Sequence, residues 1–204
     1  MPKQVDLAAQ RRAIAEAAIS VVGEAGLEAT RLRDVARAAK VTTGALTHYF
    51  ESKDEVLEAA LAEIVRRTLE RMETPLAANA PTDVAGFIRR VCAYLPLDDA
   101  GRQEWRVWLA FWGKAIADAR LRTVHRDHYA NIVERMVPTL RVLRQGPAPS
   151  LRTLRKCADA LCAAIDGVGT RATLEPELWP ARRQRETLSD LLAPMLTAFA
   201  AAKD

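Results

Sequence analysis

Apolar residues recur along most of the chain at the three- and four-residue spacing of amphipathic helices. Alternating runs rich in Val, Ile and Thr, which are typical of strands, are missing from the sequence. Prolines and small residues mark two breaks, at residues 75–81 and 145–150, and Pro138 is expected to kink a late helix. We therefore predict an all-α fold of about nine helices. The expected helices are residues 7–22, 31–38, 42–49, 52–74, 82–94, 101–117, 118–144, 150–172 and 182–202.

The domain organisation follows from the start of the fourth helix. Ser52 and Glu55 stand three residues apart before an apolar run, which is the capping-box pattern of a helix start. We expect residues 1–51 to form a helix-turn-helix domain and residues 52–204 a helical regulatory and dimerisation domain. Residues 52–74 are then the connecting helix.

Two short helices joined by a tight turn at residues 39–41, with a packing helix before them, predict a helix-turn-helix arrangement. Leu46 and Phe50 are expected to anchor the last of these helices to the core. Thr30 is expected to cap the second helix, and the hydroxyl and N–H groups at the start of the third to hold phosphates. The outward positions of the third helix are small or polar, as entry into a major groove about 12 Å wide requires. These positions are Thr43, Gly44, Ala45, Thr47 and His48.

The net charge of the whole chain says little about DNA binding, but the distribution of charge along the chain supports it. The 204 residues carry a net charge of +4, with an isoelectric point near 9.2, but residues 1–60 alone sum to −1. Residues 29–50 sum to +3, because four basic side chains oppose the single acid Asp34. Basic residues before the first helix and early in it are expected to add a flexible arm near the groove. These are Lys3, Arg11 and Arg12.

Several protein classes are excluded. The sequence has no apolar run of about eighteen residues, so we expect no membrane span. Its first twelve residues lack the apolar stretch of a secretory signal. The three cysteines suggest neither an even disulfide framework nor a C-x-x-C pair, which fits a reducing compartment. We expect a cytoplasmic protein.

Enzymatic activity is not expected. The sequence contains no phosphate loop, G-x-S-x-G or H-E-x-x-H motif. His125 and His128 are three residues apart on a predicted helix, but a metal site would need a third ligand from elsewhere. Cys157 and Cys162 are interpreted as small packing residues. We therefore predict no catalytic residue, no metal and no cofactor.

Aromatic residues cluster in the second half of the chain and allow two interpretations. Trp105, Trp108 and Trp112 share one helix face, and any one of these rings is best explained as core. As a set, the rings instead suggest an aromatic-walled ligand pocket that attracts a quaternary ammonium group. The expected pocket residues are Phe87, Tyr94, Trp105, Trp108, Phe111, Trp112, Tyr129 and Met136.

The last two predicted helices each carry an apolar stripe. Two such stripes suggest a four-helix interface between two copies of the chain, although burial within one copy explains them as well. Small residues at 163, 164, 167 and 169 would allow close approach. The expected interface residues are Leu154, Ala158, Leu161, Ile165, Val168, Leu188, Leu191, Leu192, Met195 and Phe199.

The ordered residues of the N-terminal region resemble the DNA-binding domain of the TetR family of bacterial regulators. The resemblance covers residues 10–60 and includes Gly26-Leu27-Glu28-Ala29-Thr30, Val41-Thr42-Thr43-Gly44-Ala45-Leu46, His48-Tyr49-Phe50 and Lys53-Asp54-Glu55-Val56-Leu57. Residues 108–112 and 166–168, together with Pro176 and Glu177, resemble the C-terminal domain of the BetI-like subgroup.

This resemblance implies a homodimer that binds a palindromic operator on double-stranded DNA and is released by an unidentified small-molecule inducer. Two positions depart from the family pattern: Lys40 replaces a turn glycine, where φ is often positive, and Thr47 replaces a common Tyr. Lys40 is expected to contact a phosphate. The resemblance places Thr30 or Arg31, Tyr49 and Lys53 at phosphates and Thr42, Thr43, Gly44, Ala45, Thr47 and His48 in the groove.

Two alternatives stay open from the sequence. The first is a DNA-binding regulator without a small-molecule inducer, which a filled C-terminal core would favour. The second is a ligand-binding helical protein whose helix-turn-helix is coincidental. Choline is not carried over as the ligand, because ligand pockets diverge more readily than folds.

Overall fold

The computed structural model describes residues 7–73, 83–144 and 146–202, and this part of the chain is all-α, as predicted. The described residues form nine α-helices and one short 3-10 helix at Cys92–Tyr94. The α-helices are α1 (Leu7–Ala25), α2 (Leu32–Ala38), α3 (Thr43–Tyr49), α4 (Lys53–Glu73), α5 (Val84–Val91), α6 (Asp99–Ala117), α7 (Ala119–Leu143), α8 (Leu151–Leu174) and α9 (Ala181–Ala201).

The helix ends agree closely with the apolar pattern because most of them have local signals. Ser52 accepts a hydrogen bond from the Glu55 amide at 3.2 Å, and the Glu55 carboxylate accepts one from the Glu51 amide at 2.9 Å. α7 continues through Pro138. The predicted break at residues 75–81 lies outside the described residues. No described helix is long and apolar enough to cross a membrane.

The first compact unit combines the N-terminal region up to Arg67 with Arg102–Arg122. Its core includes Ile14, Val35, Leu46 and Phe50. Gly23 lets α6 approach α1, because a Cβ there would lie 2.8 Å from the Gln103 Cβ. The Arg106 guanidinium donates to the Gly23 carbonyl at 2.6 Å, and Lys114 forms an ion pair with Asp54. Arg102–Arg122, from the middle of the chain, thus belongs to the same unit as the helix-turn-helix.

The second unit comprises Thr68–Gly101 and the chain from Thr123 onward. Its core uses the inner faces of α8 and α9, including Leu154, Leu161 and Leu188. Arg171 and Arg183 place their guanidinium carbons 5.2 and 4.5 Å from the centre of the Trp179 ring. This tryptophan, which no sequence pattern predicted as important, holds the connection between α8 and α9 in place.

Candidate nucleic-acid interface and ligand site

The exposed face of α3 is the centre of the candidate DNA interface. Thr42 caps the helix, since its hydroxyl oxygen accepts a hydrogen bond from the Ala45 amide at 3.0 Å. Leu46 and Phe50 are fully buried and pack the opposite face of α3 against the core of the first unit. Thr47 and His48 remain exposed, as do Thr43 and Gly44, whereas Ala45 is half-buried. The result is a short, anchored helix with a polar outer face, which is the geometry that major-groove entry requires.

The turn before α3 has the strained backbone that the missing glycine predicts. Lys40 has a φ of 57°, the one positive φ among the described non-glycine residues. Its amide donates to the Arg37 carbonyl at 3.1 Å, and the Val41 amide donates to the Ala36 carbonyl at 2.9 Å. These bonds close the turn and leave the Lys40 side chain exposed.

Thr30 does not cap α2, so this prediction was wrong. The N-cap is Arg31, and no side chain caps this end. The Thr30 hydroxyl instead donates to the Gly26 carbonyl at 2.7 Å, and the residue is buried. The turn that begins at Gly26 therefore uses the hydroxyl that a cap or a phosphate contact would need. Arg31 is exposed at the same helix end.

Arg11 is part of α1 and contacts the end of α3, so the prediction of a flexible arm was wrong for this residue. Its guanidinium carbon lies 4.3 Å from the centre of the Phe50 ring, and Nη1 donates to the Tyr49 carbonyl. Arg12 is exposed on the same helix, and Lys3 lies outside the described residues. Apolar periodicity alone contained no signal for the contact of Arg11 with residues 38 or more positions away.

Two further residues that are candidates for phosphate contact flank the C-terminal end of α3. Tyr49 is half-buried, and its ring packs edge-on against His48 with the ring centres 5.7 Å apart. Lys53 begins α4, and its ammonium group donates to the Glu28 carbonyl at 3.3 Å. Tyr49 is thus the last residue of α3, and Lys53 lies four residues after it in the chain.

The predicted aromatic pocket residues are divided between the two units. α6 carries four of them in the first unit: Trp105 and Phe111 are buried, while Trp108 and Trp112 are half-buried. The Trp112 ring centre lies 6.3 Å from that of Trp105 and 6.1 Å from that of Trp108. Phe111 has no exposed surface and is a core residue of this unit.

In the second unit, Phe87, Tyr94 and Met136 line a cavity of about 20 Å³. Three polar residues that were not among the predicted pocket residues share this lining, and these are Arg90, Arg135 and Thr139. The lining of the cavity could not be read from the aromatic pattern, because it depends on which face of α7 meets α5.

Tyr129 belongs to a separate polar cluster of the second unit. Its hydroxyl donates to the Asp166 carboxylate at 2.8 Å, and its ring stacks on His125 with the centres 4.5 Å apart. Burial raises the pKa of Asp166 to about 6, although the hydrogen bond from Tyr129 opposes that change. Burial also lowers the pKa of His125.

Part of each apolar stripe on α8 and α9 is buried within a single copy of the chain. Leu191 is 55% exposed, and Met195 and Phe199 are half-buried. The other predicted interface residues are already buried by the chain's own helices, namely Leu154, Ala158, Leu161, Ile165, Val168, Leu188 and Leu192. Small or apolar residues also lie exposed at helical spacing on the outer faces, and these are Ala160, Ala163, Gly167, Leu174, Leu191, Pro194 and Ala198.

Two family models match the chain. The model for bacterial regulatory proteins of the tetR family matches residues 14–60, and that for the C-terminal domain of BetI-type transcriptional repressors matches residues 89–197. The HTH-type transcriptional regulator BetI of Vibrio atlanticus is 28% identical over 195 residues, which are 94% of each chain.

Solved structures show the same fold. A transcriptional regulator from Rhodococcus sp. Rha1 is similar with a TM-score of 0.78 and 26% identity, covering 95% of this chain and 99% of that one. A transcriptional regulator from Saccharomonospora viridis, solved in complex with choline, has a TM-score of 0.74 and 23% identity. That similarity covers 91% of this chain and 96% of the other.

Proposed function

The chain belongs to the TetR family of bacterial regulators and has a BetI-type C-terminal domain, and on that premise we propose a homodimeric repressor that a small molecule releases from a palindromic operator. It is a DNA-binding transcriptional regulator and not an enzyme. The observation that supports the proposal most directly is the exposed polar face of α3, capped by Thr42 and anchored by Leu46 and Phe50.

DNA recognition is proposed to divide into base contacts and phosphate contacts. Base contacts carry sequence preference, whereas phosphate contacts position the protein on any sequence. The exposed, short side chains of α3 allow the helix backbone to approach the base edges closely. The base-facing set is Thr42, Thr43, Gly44, Ala45, Thr47 and His48, and the phosphate-facing set is Arg31, Lys40, Tyr49 and Lys53. Thr30 is left out because it is buried and its hydroxyl is bonded to Gly26.

Dimerisation is proposed to use the outer faces of α8 and α9. Leu174 and Leu191 are 69% and 55% exposed, and exposed apolar residues that cluster on one surface are typical of protein–protein interfaces. Ala163 and Gly167 lie exposed on the same stripe of α8, where small side chains permit close helix packing. A two-fold axis through this surface would pair it with itself and present two α3 helices to half-sites about 34–36 Å apart.

Release by a small molecule is proposed from the family, since one relative was solved with choline bound. A ligand that binds the DNA-incompetent conformation more tightly lowers DNA affinity by the same free energy with which DNA lowers ligand affinity. Within the first unit, α6 is bonded to α1 through Arg106 and to α4 through Lys114. A ligand that displaced α6 would therefore act directly on the unit that contains α3.

The alternative is a DNA-binding regulator without an inducer. One observation favours it: the cavity that Phe87, Tyr94 and Met136 line measures about 20 Å³, which is room for a single water molecule. In that case the protein would regulate by operator occupancy alone.

DNA binding is tested with the full-length protein and labelled fragments from the region upstream of its own gene. We expect a fluorescence-anisotropy increase at low salt, and competition by the same palindrome but not by one with shuffled half-sites. Analytical ultracentrifugation of the free protein should give the mass of a dimer. Failure to bind any such fragment at low salt, or a monomer at micromolar concentration, would contradict the proposal.

A further inference from the structure

The guanidinium group of Arg67 contacts a carboxylate on each of three helices of the first unit. Its Nε donates to Glu63 of α4 at 3.0 Å, and its Nη2 lies 3.2 Å from a carboxylate oxygen of Glu16 on α1. Its Nη1 lies 3.9 Å from a carboxylate oxygen of Glu104 on α6. Each nitrogen of one planar group thus meets a different helix, which a guanidinium group allows and a single ammonium group does not.

Two of these three carboxylates are buried. The side chains of Glu63 and Glu104 are 5% and 11% exposed, whereas that of Glu16 is 49% exposed. Hydrogen bonds from Arg66 and, less strongly, from Arg67 hold the pKa of Glu63 below its ordinary value, although burial opposes them. Loss of a cationic partner is strongly destabilising for a buried carboxylate. The relative position of α4 and α6 that Arg67 spans is therefore favoured over others.

Two other side chains fasten α6 within this unit, and each joins it to a single helix. Arg106 donates to the Gly23 carbonyl of α1, and Lys114 forms an ion pair with Asp54 of α4. Arg67 differs because it holds α1, α4 and α6 together through one group. Its loss would release all three helices at once.

On α1, the contact with Arg67 lies close to the support of α3. Glu16 follows Arg11 by five residues in this helix. The Arg11 guanidinium carbon lies 4.3 Å from the centre of the Phe50 ring at the C-terminal end of α3. Because a packed helix moves as a rigid element, a change in the position of Glu16 also changes where α1 supports α3.

On α6, the contact with Arg67 lies beside the aromatic residues. Glu104 is next to Trp105 in the sequence and one helical turn before Trp108. Three of the four tryptophans of the chain belong to this helix, so tryptophan emission reports mainly on α6. A displacement of α6 therefore changes the contact of Glu104 with Arg67 and is visible in the emission.

We infer that Arg67 is a positioning residue that links α6 to the DNA-reading helix, so that operator binding and the position of α6 depend on each other through this guanidinium group. The inference rests on the proposed function, because the linkage has a role only in a regulator whose α3 reads DNA. Linkage is reciprocal: if the position of α6 changes DNA affinity, then bound DNA changes the position of α6.

The first experiment measures the linkage in the wild-type protein. A labelled promoter fragment is titrated with the full-length protein, and its anisotropy reports binding. In the reverse titration, unlabelled fragment is added to the protein and tryptophan emission is followed. We expect both signals to give the same dissociation constant, because α6 responds to bound DNA. An anisotropy increase with constant emission would overturn the inference alone, whereas no anisotropy increase would contradict the regulator function as well.

The second experiment removes one of the three contacts. Glu16→Gln keeps the size of the side chain and removes its charge at an exposed position, where the variant should fold. We expect promoter binding to weaken about two- to fivefold and the emission change at saturating DNA to fall to about half or less. Glu24→Gln is the matched control, since Glu24 is an exposed glutamate of the same helix that accepts from Ser20. Equal responses of the two variants would overturn the inference.

The third experiment separates the linkage from structural support. Arg67→Lys keeps a positive charge beside the buried carboxylates, and Arg67→Met removes it. Lysine should recover most of the urea midpoint that methionine loses. It should leave the emission change at saturating DNA at about half the wild-type value or less, because one ammonium group cannot contact three helices at once. A full emission response in Arg67→Lys would overturn the inference, and this comparison with wild type stays decisive if Arg67→Met fails to fold.

Discussion

The Arg11 guanidinium lies 4.3 Å from the centre of the Phe50 ring and donates a hydrogen bond to the carbonyl of the preceding residue, Tyr49. Arg11 belongs to α1, and Phe50 is the C-cap of α3. A cation over an aromatic face is attracted to the negative face of the ring. The contact therefore fixes the end of α3 against α1 and positions its exposed face.

Arg11→Met should lower the free energy of unfolding by about 1 kcal/mol, because it removes the cation–π contact and the hydrogen bond to Tyr49. It should also weaken operator binding, since α3 loses a support. Urea denaturation and anisotropy measure the two effects. Arg12→Met is the control, because Arg12 is an exposed arginine of the same helix. Equal stability of the two variants would contradict the positioning role.

Lys40→Gly should stabilise the fold and weaken DNA binding. Relief of the positive φ of 57° outweighs the added entropy of the unfolded glycine chain, for a net gain of about 0.5–1 kcal/mol. Loss of one phosphate contact should lower the slope of log affinity against log salt by about 1. Ala39→Gly is the control: at φ −75° it has no strain to relieve, so it should destabilise the protein. Stabilisation without any change in salt dependence would remove Lys40 from the phosphate set.

Base-facing and phosphate-facing residues should differ in the kind of defect they cause. Thr47→Ala and His48→Ala should change the ranking of operator variants, with shifts of about 1–3 kcal/mol at the contacted base pair. Lys53→Ala should weaken all sequences by a similar factor and reduce the salt dependence. Anisotropy titrations against a panel of single-base operator variants measure both. Identical patterns for the two classes would refute the division.

Gly167→Leu tests the dimer surface without disturbing the fold of one copy. A Cβ at Gly167 would meet no atom within 4 Å, and leucine favours a helix over glycine by about 0.8 kcal/mol. We expect Gly167→Leu to dissociate the dimer in sedimentation while the helix content stays constant. Gly113→Leu is the control, since a Cβ there also meets no atom within 4 Å. If both variants sedimented like wild type, the outer face of α8 would not be the interface.

Asp166→Asn should make stability less dependent on pH. The pKa of Asp166 is raised by burial to about 6 in the folded chain, against an ordinary value of 3.8, so the folded state binds more protons between these values. Stability therefore falls as pH rises from about 4 to 6, by about 2 kcal/mol, and stays lower above that range. Asparagine has no charge to bury and still accepts the Tyr129 hydrogen bond.

The measurement compares urea denaturation of Asp166→Asn and wild type from pH 4 to pH 8 at one protein concentration. The variant should be the more stable protein at pH 7, and the difference should vanish near pH 4. Asp159→Asn, at an exposed position of the same helix, should show no such pH-dependent difference. A difference between Asp166→Asn and wild type that stayed constant over this range would contradict the raised pKa.

Helix positions and the DNA-reading element could be predicted because their signals are local. The spacing of apolar residues, the cap at Thr42 and the capping box at Ser52 and Glu55 act within four or five residues. The charge of +3 over residues 29–50 could also be located directly from the chain. Each of these features depends on residues whose separation the helix itself determines.

Contacts between distant residues were decided by the tertiary structure. Periodicity tells which face of a helix is apolar but not which helix that face meets, so the sequence contained no sign that Arg11 contacts Phe50 or that Arg90 and Arg135 share one cavity. The same limit explains the wrong prediction for Thr30, because its hydroxyl donates to the Gly26 carbonyl instead of capping α2. By itself the sequence determined the helices and the class of protein. Packing determined which side chains support α3 and which residues line the cavity of α5 and α7.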